Sequence, residues 1–435
     1  MFSRAPLAVA GAMLSAALLP ALSLSSLPAA ASPDVAAAPA AANPALVNDH
    51  VLFTKDDHTA LTRHARTLID AVPRGARISL PLYYFNRDEI VTALIAAHRR
   101  GVDVRIVING SETGKAQFKA LKAAKMNVTV CGKPIPNGSS HMSDRGCIAN
   151  RSEKNDPDAT AYSRLHNKFM TLSKVSLSNG DVAQNVVWLA SANFDHTTAY
   201  EDSFTFRNTE VYGFYRAYFD HMRYYAGTPG KKAYGTNARD SQTTTADGMY
   251  KAHFFPRHEA TGQGFFSGSN DPIVAAVGKA KCSTKSTGDV ISVANFRISR
   301  RPVVSALKAA KKRGCTIRVV TGDVAADNGK PYAALVDLDK AVGVRVCGPA
   351  TRKSYMHEKF LTITDGKASQ LYLGSQNFTY AALRQQDENV LRVANPKVVA
   401  KYADHFQSLH GYCPTWNAST FTPTTPQDME MEMDE

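Results

Sequence analysis

The chain has 435 residues, 44% hydrophobic and 20% charged, enough apolar material to bury a large core, so a disordered chain is excluded. With 51 Lys and Arg against 38 Asp and Glu, the formal net charge is +13. That balance favours anionic partners, whether nucleic acid, lipid headgroups or an acidic wall polymer, without choosing among them.

Taken in chain order, residues 1–31 carry Arg4, an apolar run through Leu19 and Leu27, and then Ala29, Ala30 and Ala31 ahead of Ser32. This is the layout of a secretory signal peptide and predicts export. No later segment is apolar for long enough to span a bilayer as a helix, so a soluble mature body is expected. Residues 32–46, dominated by Ala, Pro and Ser, read as a flexible leader, with folding expected from Val47. Residues 76–110 then read ARISLPLYYFNRDEIVTALIAAHRRGVDVRIVING, and residues 289–323 read DVISVANFRISRRPVVSALKAAKKRGCTIRVVTGD. Each is a short apolar run, a turn, a helix-patterned segment, a glycine and a second apolar run. Asn86 stands three residues before Glu89, a capping-box pattern, and Ser299 ahead of Pro302 reads as a cap followed by a first-turn proline. Ile90, Val91, Leu94 and Ile95 share one helical face, as do Val303, Val304 and Leu307. Gly101 and Gly314 can take the left-handed conformation that ends a helix. Strand, helix, strand in this order predicts a βαβ unit with parallel strands in both places.

The repeat continues. Val128-Thr129-Val130-Cys131-Gly132 stands against Val344-Arg345-Val346-Cys347-Gly348, and Leu165-His166-Asn167-Lys168-Phe169 against Met356-His357-Glu358-Lys359-Phe360. Trp188-Leu189-Ala190-Ser191-Ala192-Asn193-Phe194 stands against Tyr372-Leu373-Gly374-Ser375-Gln376-Asn377-Phe378. Two copies are too few for a solenoid and predict a duplicated domain with pseudo-twofold symmetry. The expected organisation is an N-terminal half over 47–226, a linker rich in Gly, Thr, Ser and Lys over 227–248, a C-terminal half over 249–417 and an acidic disordered tail over 418–435. Six cysteines form an even set in a chain bound for an oxidising compartment, which predicts disulfides; without a CxxC pair a zinc site has little support. Cys131 with Cys147 is the first expected pair, because Gly132, Pro134, Pro136, Asn137 and Gly138 between them read as a loop. The aromatic run Tyr212, Phe214, Tyr215, Tyr218 and Phe219 has helical spacing and reads as core packing.

Of the 13 histidines only His166 and His357 have a lysine two residues on, and both occupy equivalent repeat positions. In an extended segment residues i and i+2 point to one face, so His166 with Lys168 and His357 with Lys359 would each project together. At this point the sequence resembles the phospholipase D superfamily, whose repeated mark is His-x-Lys-x4-Asp followed by Gly-Ser-x-Asn. The likeness runs from about Val51 to Trp416. In the second half Gly374 to Ala382 and then Asp387-Glu388-Asn389 look like the small bacterial endonuclease branch. The resemblance implies an α/β fold, a duplicated domain of two mixed sheets flanked by helices, with one active site at the interface of the halves, no metal and no cofactor. Three positions depart from the pattern: Ser173 and Thr364 stand where the motif has Asp, with Asp365 one place late, and Ala190 replaces a glycine. That Asp is a supporting residue in the family, so activity is expected to survive.

The chemistry needs this set of groups. A neutral imidazole suits attack on an anionic phosphodiester when donors already cradle the phosphoryl oxygens, and Lys168, Lys359, Asn193 and Asn377 would supply them with Ser191 and Ser375 close by. A second, protonated imidazole would serve the leaving alcohol. Glu201 and Glu388 could orient the rings. The family's usual order implies His166 as nucleophile and His357 as general acid; the repeat symmetry alone does not distinguish them. Three functions stay open: a secreted phospholipase D that could also transfer the phosphatidyl group to alcohols, an extracellular nuclease, and an inert relative that binds anionic polymers. Lipid is ranked first, with transient membrane-surface contact and a monomeric state expected.

Overall fold

The computed structural model describes residues 40–134, 144–151, 153, 163–228, 242–282, 289–326, 329–348, 354–365 and 368–420. The expected signal peptide, the centre of the expected linker and the tail beyond Thr420 lie outside these residues. In the first half the strands are β1 (His50–Phe53), β2 (Arg77–Leu82), β3 (Asp103–Asn109), β4 (Asn127–Cys131), β5 (Arg164–Leu165), β6 (Phe169–Ser176), β7 (Val182–Ala190) and β8 (Asp202–Arg207). Its helices are α1 (Ala60–Asp70), α2 (Asp88–Arg99), α3 (Ala116–Ala123) and α4 (Thr209–Gly227). The second half holds β9 (Gln242–Thr244), β10 (Tyr250–Phe254), β11 (Val290–Asn295), β12 (Thr316–Thr321), β13 (Arg345–Val346), β14 (Lys359–Asp365), β15 (Ala368–Gly374), β16 (Gln386–Asp387) and β17 (Asn389–Val393). Its helices are α5 (Pro272–Lys279), α6 (Arg301–Lys312), α7 (Ala333–Val342), α8 (Tyr380–Arg384) and α9 (Pro396–Tyr412).

One sheet has the order β1-β8-β7-β6-β2-β3-β4 and the other β13-β12-β11-β14-β15-β17-β10-β9. Apart from the extra edge strand β9, the second is the first read backwards, which is the duplication expressed as topology. β2 pairs parallel with β3 and β11 with β12, as the βαβ reading requires. These strands are rich in Val and Ile because helices cover both faces of each sheet, α1 and α2 opposite α4 in the first half and α5 to α7 opposite α9 in the second. One apolar core lies under α1 and α2 and another under α5, α6 and α7; a third, with Phe169, Tyr215, Tyr218, Phe360, Tyr402 and Phe406, joins the halves. Gly101 (φ +87) and Gly314 (φ +106) follow the crossover helices in the left-handed region.

Three expectations are corrected. The crossover helices are not capped by Asn86 and Ser299: the cap positions are Arg87 and Arg300, without a side-chain cap. The reason is tertiary. The amides of Asn86 and Arg87 both donate to Phe194 O, and those of Ser299 and Arg300 both donate to Phe378 O, so the motif loops fix where each helix starts. Residues 40–46 are also not a loose leader, because Ala42 N donates to Ser176 O at 2.9 Å, Ser178 N donates back to Ala42 O at 2.9 Å, and Ala42 is buried. Beyond the expected linker's first residues, Gln242–Thr244 is strand β9 against β10. The cysteines pair as Cys131–Cys147, Cys282–Cys315 and Cys347–Cys413; the first is the expected pair.

Candidate active site

The two histidines are placed by reciprocal clasps between the halves. β5 runs parallel to β16, with Leu165 paired to Asp387, and His166 N donates to Asp387 O at 3.0 Å. At the equivalent seam Tyr200 bridges Met356, and His357 N donates to Tyr200 O at 2.9 Å. The residue after each clasping position is a glutamate, so each imidazole receives its carboxylate from the opposite half. His166 Nδ1 lies 2.7 Å from Glu388 Oε1, and His357 Nδ1 lies 2.5 Å from Glu201 Oε1. With Nδ1 occupied on both rings, Nε2 is the atom left for phosphorus or a leaving group. Tyr83 and Phe296, the residues just after β2 and β11, pack against the rings at 5.0 and 4.6 Å between centroids.

The lysines complete the floor. Lys168 Nζ donates to His166 O at 3.0 Å, Lys359 Nζ donates to His357 O, and both are buried. Each ammonium also lies 5.4 Å from the centre of an aromatic ring, Tyr83 for Lys168 and Phe296 for Lys359.

Ser191 and Ser375 occupy a different place from the one expected. Both are fully buried and taken up by hydrogen bonds within the protein, Ser191 with Glu201 and Ser375 with Asn389. Ser191 Oγ donates to Glu201 Oε2 and accepts from Asp202 N at 2.9 Å; Ser375 Oγ accepts from Asn389 N at 3.1 Å, the residue after Glu388. Asn193 and Asn377 each have an amide oxygen buried without a partner among the described residues. Their loops are held from behind by Arg87 Nε on Asp195 O and Arg300 Nη1 on Thr379 O at 2.9 Å.

Ser173 and Thr364 are remote from this centre. Each lies five residues along a strand from its lysine, about 16 Å away. Ser173 Oγ accepts from Arg77 N at 2.8 Å, and Asp365, beside Thr364, accepts from Lys281 N at 2.6 Å; both tie strand ends. Sequence reasoning missed Tyr83, Phe296, Arg164 and Asp195, which surround the rings. Tyr83 and Phe296 are equivalent aromatic positions that the repeat does show, whereas Arg164 and Asp195 stand against Tyr355 and Thr379, so the repeat gave no sign of those two.

Burial dominates the electrostatics. It holds both imidazoles well below their ordinary range, with Lys168 and Lys359 repelling further protonation of each ring and His357 adding to the effect on His166. Burial pushes Lys168 down to about 7 and Lys359 down to about 8, and pushes Glu201 up to about 7 and Glu388 up to about 8.

The family model described as cardiolipin synthase, PLD-like domain matches residues 68–223 and 282–410. Among individual proteins the chain is similar to the mitochondrial cardiolipin hydrolase of Danio rerio, 30% identical over 131 residues covering 30% of this chain and 50% of the relative. It is also similar to the mitochondrial cardiolipin hydrolase of Chlamydomonas reinhardtii, 28% identical over 123 residues covering 27% and 50%. The chain spans about half the length of each of these relatives. Among solved structures, the phosphatidylserine synthase of Haemophilus influenzae Rd KW20 has a TM-score of 0.54 at 12% identity, covering 91% of this chain and 95% of that one, a likeness of fold. Two matched segments carrying equivalent histidines, one in each half, make this chain a duplicated member of the phospholipase D superfamily.

Proposed function

We propose that the protein is an exported phosphodiesterase that cleaves the headgroup from phospholipids through a phosphohistidine on His166. One observation carries the reading: two imidazoles, each held at Nδ1 by a carboxylate from the opposite half, with the two motif lysines buried beside them. In the first step His166 Nε2 forms a bond to phosphorus as the bond to the headgroup oxygen breaks, and His357 gives that oxygen its proton. In the second, water attacks phosphorus, the P–N bond breaks and the water's proton goes to His357. Lys168, Lys359, Asn193 and Asn377 hold the phosphoryl oxygens throughout. Lipid is preferred because both relatives are named for hydrolysis of cardiolipin, a phospholipid diester. Pairing of all six cysteines supports export.

The test is a paired assay in chelator on cardiolipin or phosphatidylcholine vesicles and on plasmid DNA, with His357→Ala as the control. Headgroup release without DNA nicking supports the lipid reading. Nicking without headgroup release selects the nuclease reading, which the net charge of +13 favours. Turnover of neither, with salt-sensitive polymer binding, marks an inert relative. Loss of activity in chelator removes the metal-free mechanism.

A pH dependence follows. The lysines hold the anion as ammonium groups, and in the empty site they lose their protons near 7 and 8. kcat/KM, which reports the free enzyme, should therefore fall as pH rises through about 8. The bound anion raises both lysines, so kcat should hold to higher pH. Steady-state kinetics from pH 5 to pH 10 would separate the two limbs.

A further inference from the structure

Behind each histidine lies a buried four-residue network, and the two networks match position by position but differ in charge. Behind His166, Asn389 Nδ2 donates to Asn167 Oδ1 at 3.0 Å, Asn167 Nδ2 to the Tyr218 hydroxyl at 3.1 Å, and the Tyr215 hydroxyl to Asn389 Oδ1 at 3.1 Å. All four groups are neutral. Behind His357 the same positions hold Glu358, Asp202, His405 and Tyr402. His405 Nε2 lies 2.7 Å from Glu358 Oε1, and the Tyr402 hydroxyl donates to Asp202 Oδ2 at 2.7 Å. Glu358 Oε2 and Asp202 Oδ1 have no partner among the described residues, and the repeat puts them where the other network has its amide contact. Both acids are fully buried. Two carboxylates stand here against one imidazole, where the other network has only neutral amides and hydroxyls.

We propose that this cluster is a charge-holding device whose acidic groups, lying behind the ring, favour the protonated imidazole of His357 directly through their field, without touching the substrate. The cluster lies close behind the ring: Asp202 follows Glu201, whose carboxylate holds His357, and Glu358 follows His357 itself in the chain. Burial and the neighbouring Glu358 push Asp202 up to about 7, so a proton is held there near neutrality.

The other groups around the rings break the symmetry in the same sense. Asp195, where the second half has Thr379, favours a proton on His357; Arg164, where the second half has Tyr355, disfavours one on His166. Lys359, Lys168 and Arg297 oppose a proton on His357, but Arg297 is paired with Asp323. The orienting carboxylates Glu201 and Glu388 are displaced to a similar degree and do not separate the rings.

The inference rests on the phosphodiesterase reading and is tested through the leaving group. An alkoxide needs the His357 proton as its bond to phosphorus breaks; p-nitrophenolate leaves without one. Asp202→Asn and the double variant Asp202→Asn/Glu358→Gln copy the amides of the other network. Both should lower turnover of a short-chain phosphatidylcholine about 30- to 100-fold while changing turnover of bis(p-nitrophenyl) phosphate by less than about threefold. In an NMR titration the His357 signal should move to lower pH and that of His166 should stay. Equal loss on both substrates would mean a structural role, and no loss on either would mean no role; each overturns the proposal. If the double variant does not fold, the isosteric Asp202→Asn carries the same comparison. If the native chain turns over neither substrate in chelator, the phosphodiesterase reading fails and this inference falls with it.

Discussion

In His166→Ala, turnover of a phosphodiester should fall by about 10⁴-fold or more, with no phosphoryl group found on the protein after acid-stable or base-stable trapping. The size follows from what the ring does. With Nδ1 committed to Glu388 at 2.7 Å, Nε2 is the atom that forms the bond to phosphorus, and the surrounding lysines and asparagines can bind a phosphate but cannot replace it. His357→Ala should behave differently. It keeps the nucleophile, so with bis(p-nitrophenyl) phosphate, whose leaving group needs no proton, a phosphohistidine forms and then persists, because the group that deprotonates the attacking water is gone. Mass spectrometry of the quenched protein after incubation with a labelled diester distinguishes the two outcomes. An adduct that persists in His166→Ala would reverse the assignment, with His357 as the nucleophile.

Asp387→Ala should cost about 3–5 kcal/mol of stability and most of the activity, although Asp387 touches no substrate in the proposed mechanism. Its carboxylate is wholly buried and accepts from Cys147 N at 2.6 Å, Ala149 N at 2.7 Å and Ile148 N at 3.2 Å, so one side chain of the second half satisfies three amides of the first. The loop it grips is anchored by Cys131–Cys147, and Gly146 is required there because a Cβ would lie 2.5 Å from Asp387 Oδ2. Removing the carboxylate leaves three buried donors unpaired and loosens the strand pair that carries His166 and Glu388.

The effect also has a sign in pH. Burial raises Asp387 from 3.8 to about 7, so between those values the folded protein holds a proton that the unfolded chain does not. The stability tied to that proton is fully present at the acid end of the window and is lost as pH rises through about 7. Urea denaturation should therefore give a larger difference between native and Asp387→Ala protein at pH 5 than at pH 8.

Much of the site was legible because chemistry that must recur in both halves leaves a repeat. His166 with Lys168, His357 with Lys359, Asn193 and Asn377 could be found by aligning the chain with itself. The two glutamates could be nominated the same way, and Glu201 and Glu388 do hold the rings. Their crossing could not be read, since a repeat aligns each half with its partner and says nothing of which carboxylate faces which imidazole. The serines were misplaced for a related reason: a Ser beside a phosphate-binding motif and a Ser that braces a carboxylate look alike in sequence. Tyr215 and Tyr218 have the spacing of core residues and are core residues, yet their hydroxyls also complete the network around Asn389 and Asn167.

By itself the sequence determined the duplicated α/β architecture, the parallel crossovers, the Cys131–Cys147 pair and the histidines and lysines that the structure brings together in the candidate site. Hydrophobic period, turn residues and a repeated motif are local properties that survive without coordinates. Only the tertiary structure decided the exchange of carboxylates across the seam, the three-amide grip of Asp387 and the unequal charges behind two otherwise matching histidines. Each of these is a contact between residues distant in the chain, set by how the sheets meet and not by what any one segment prefers.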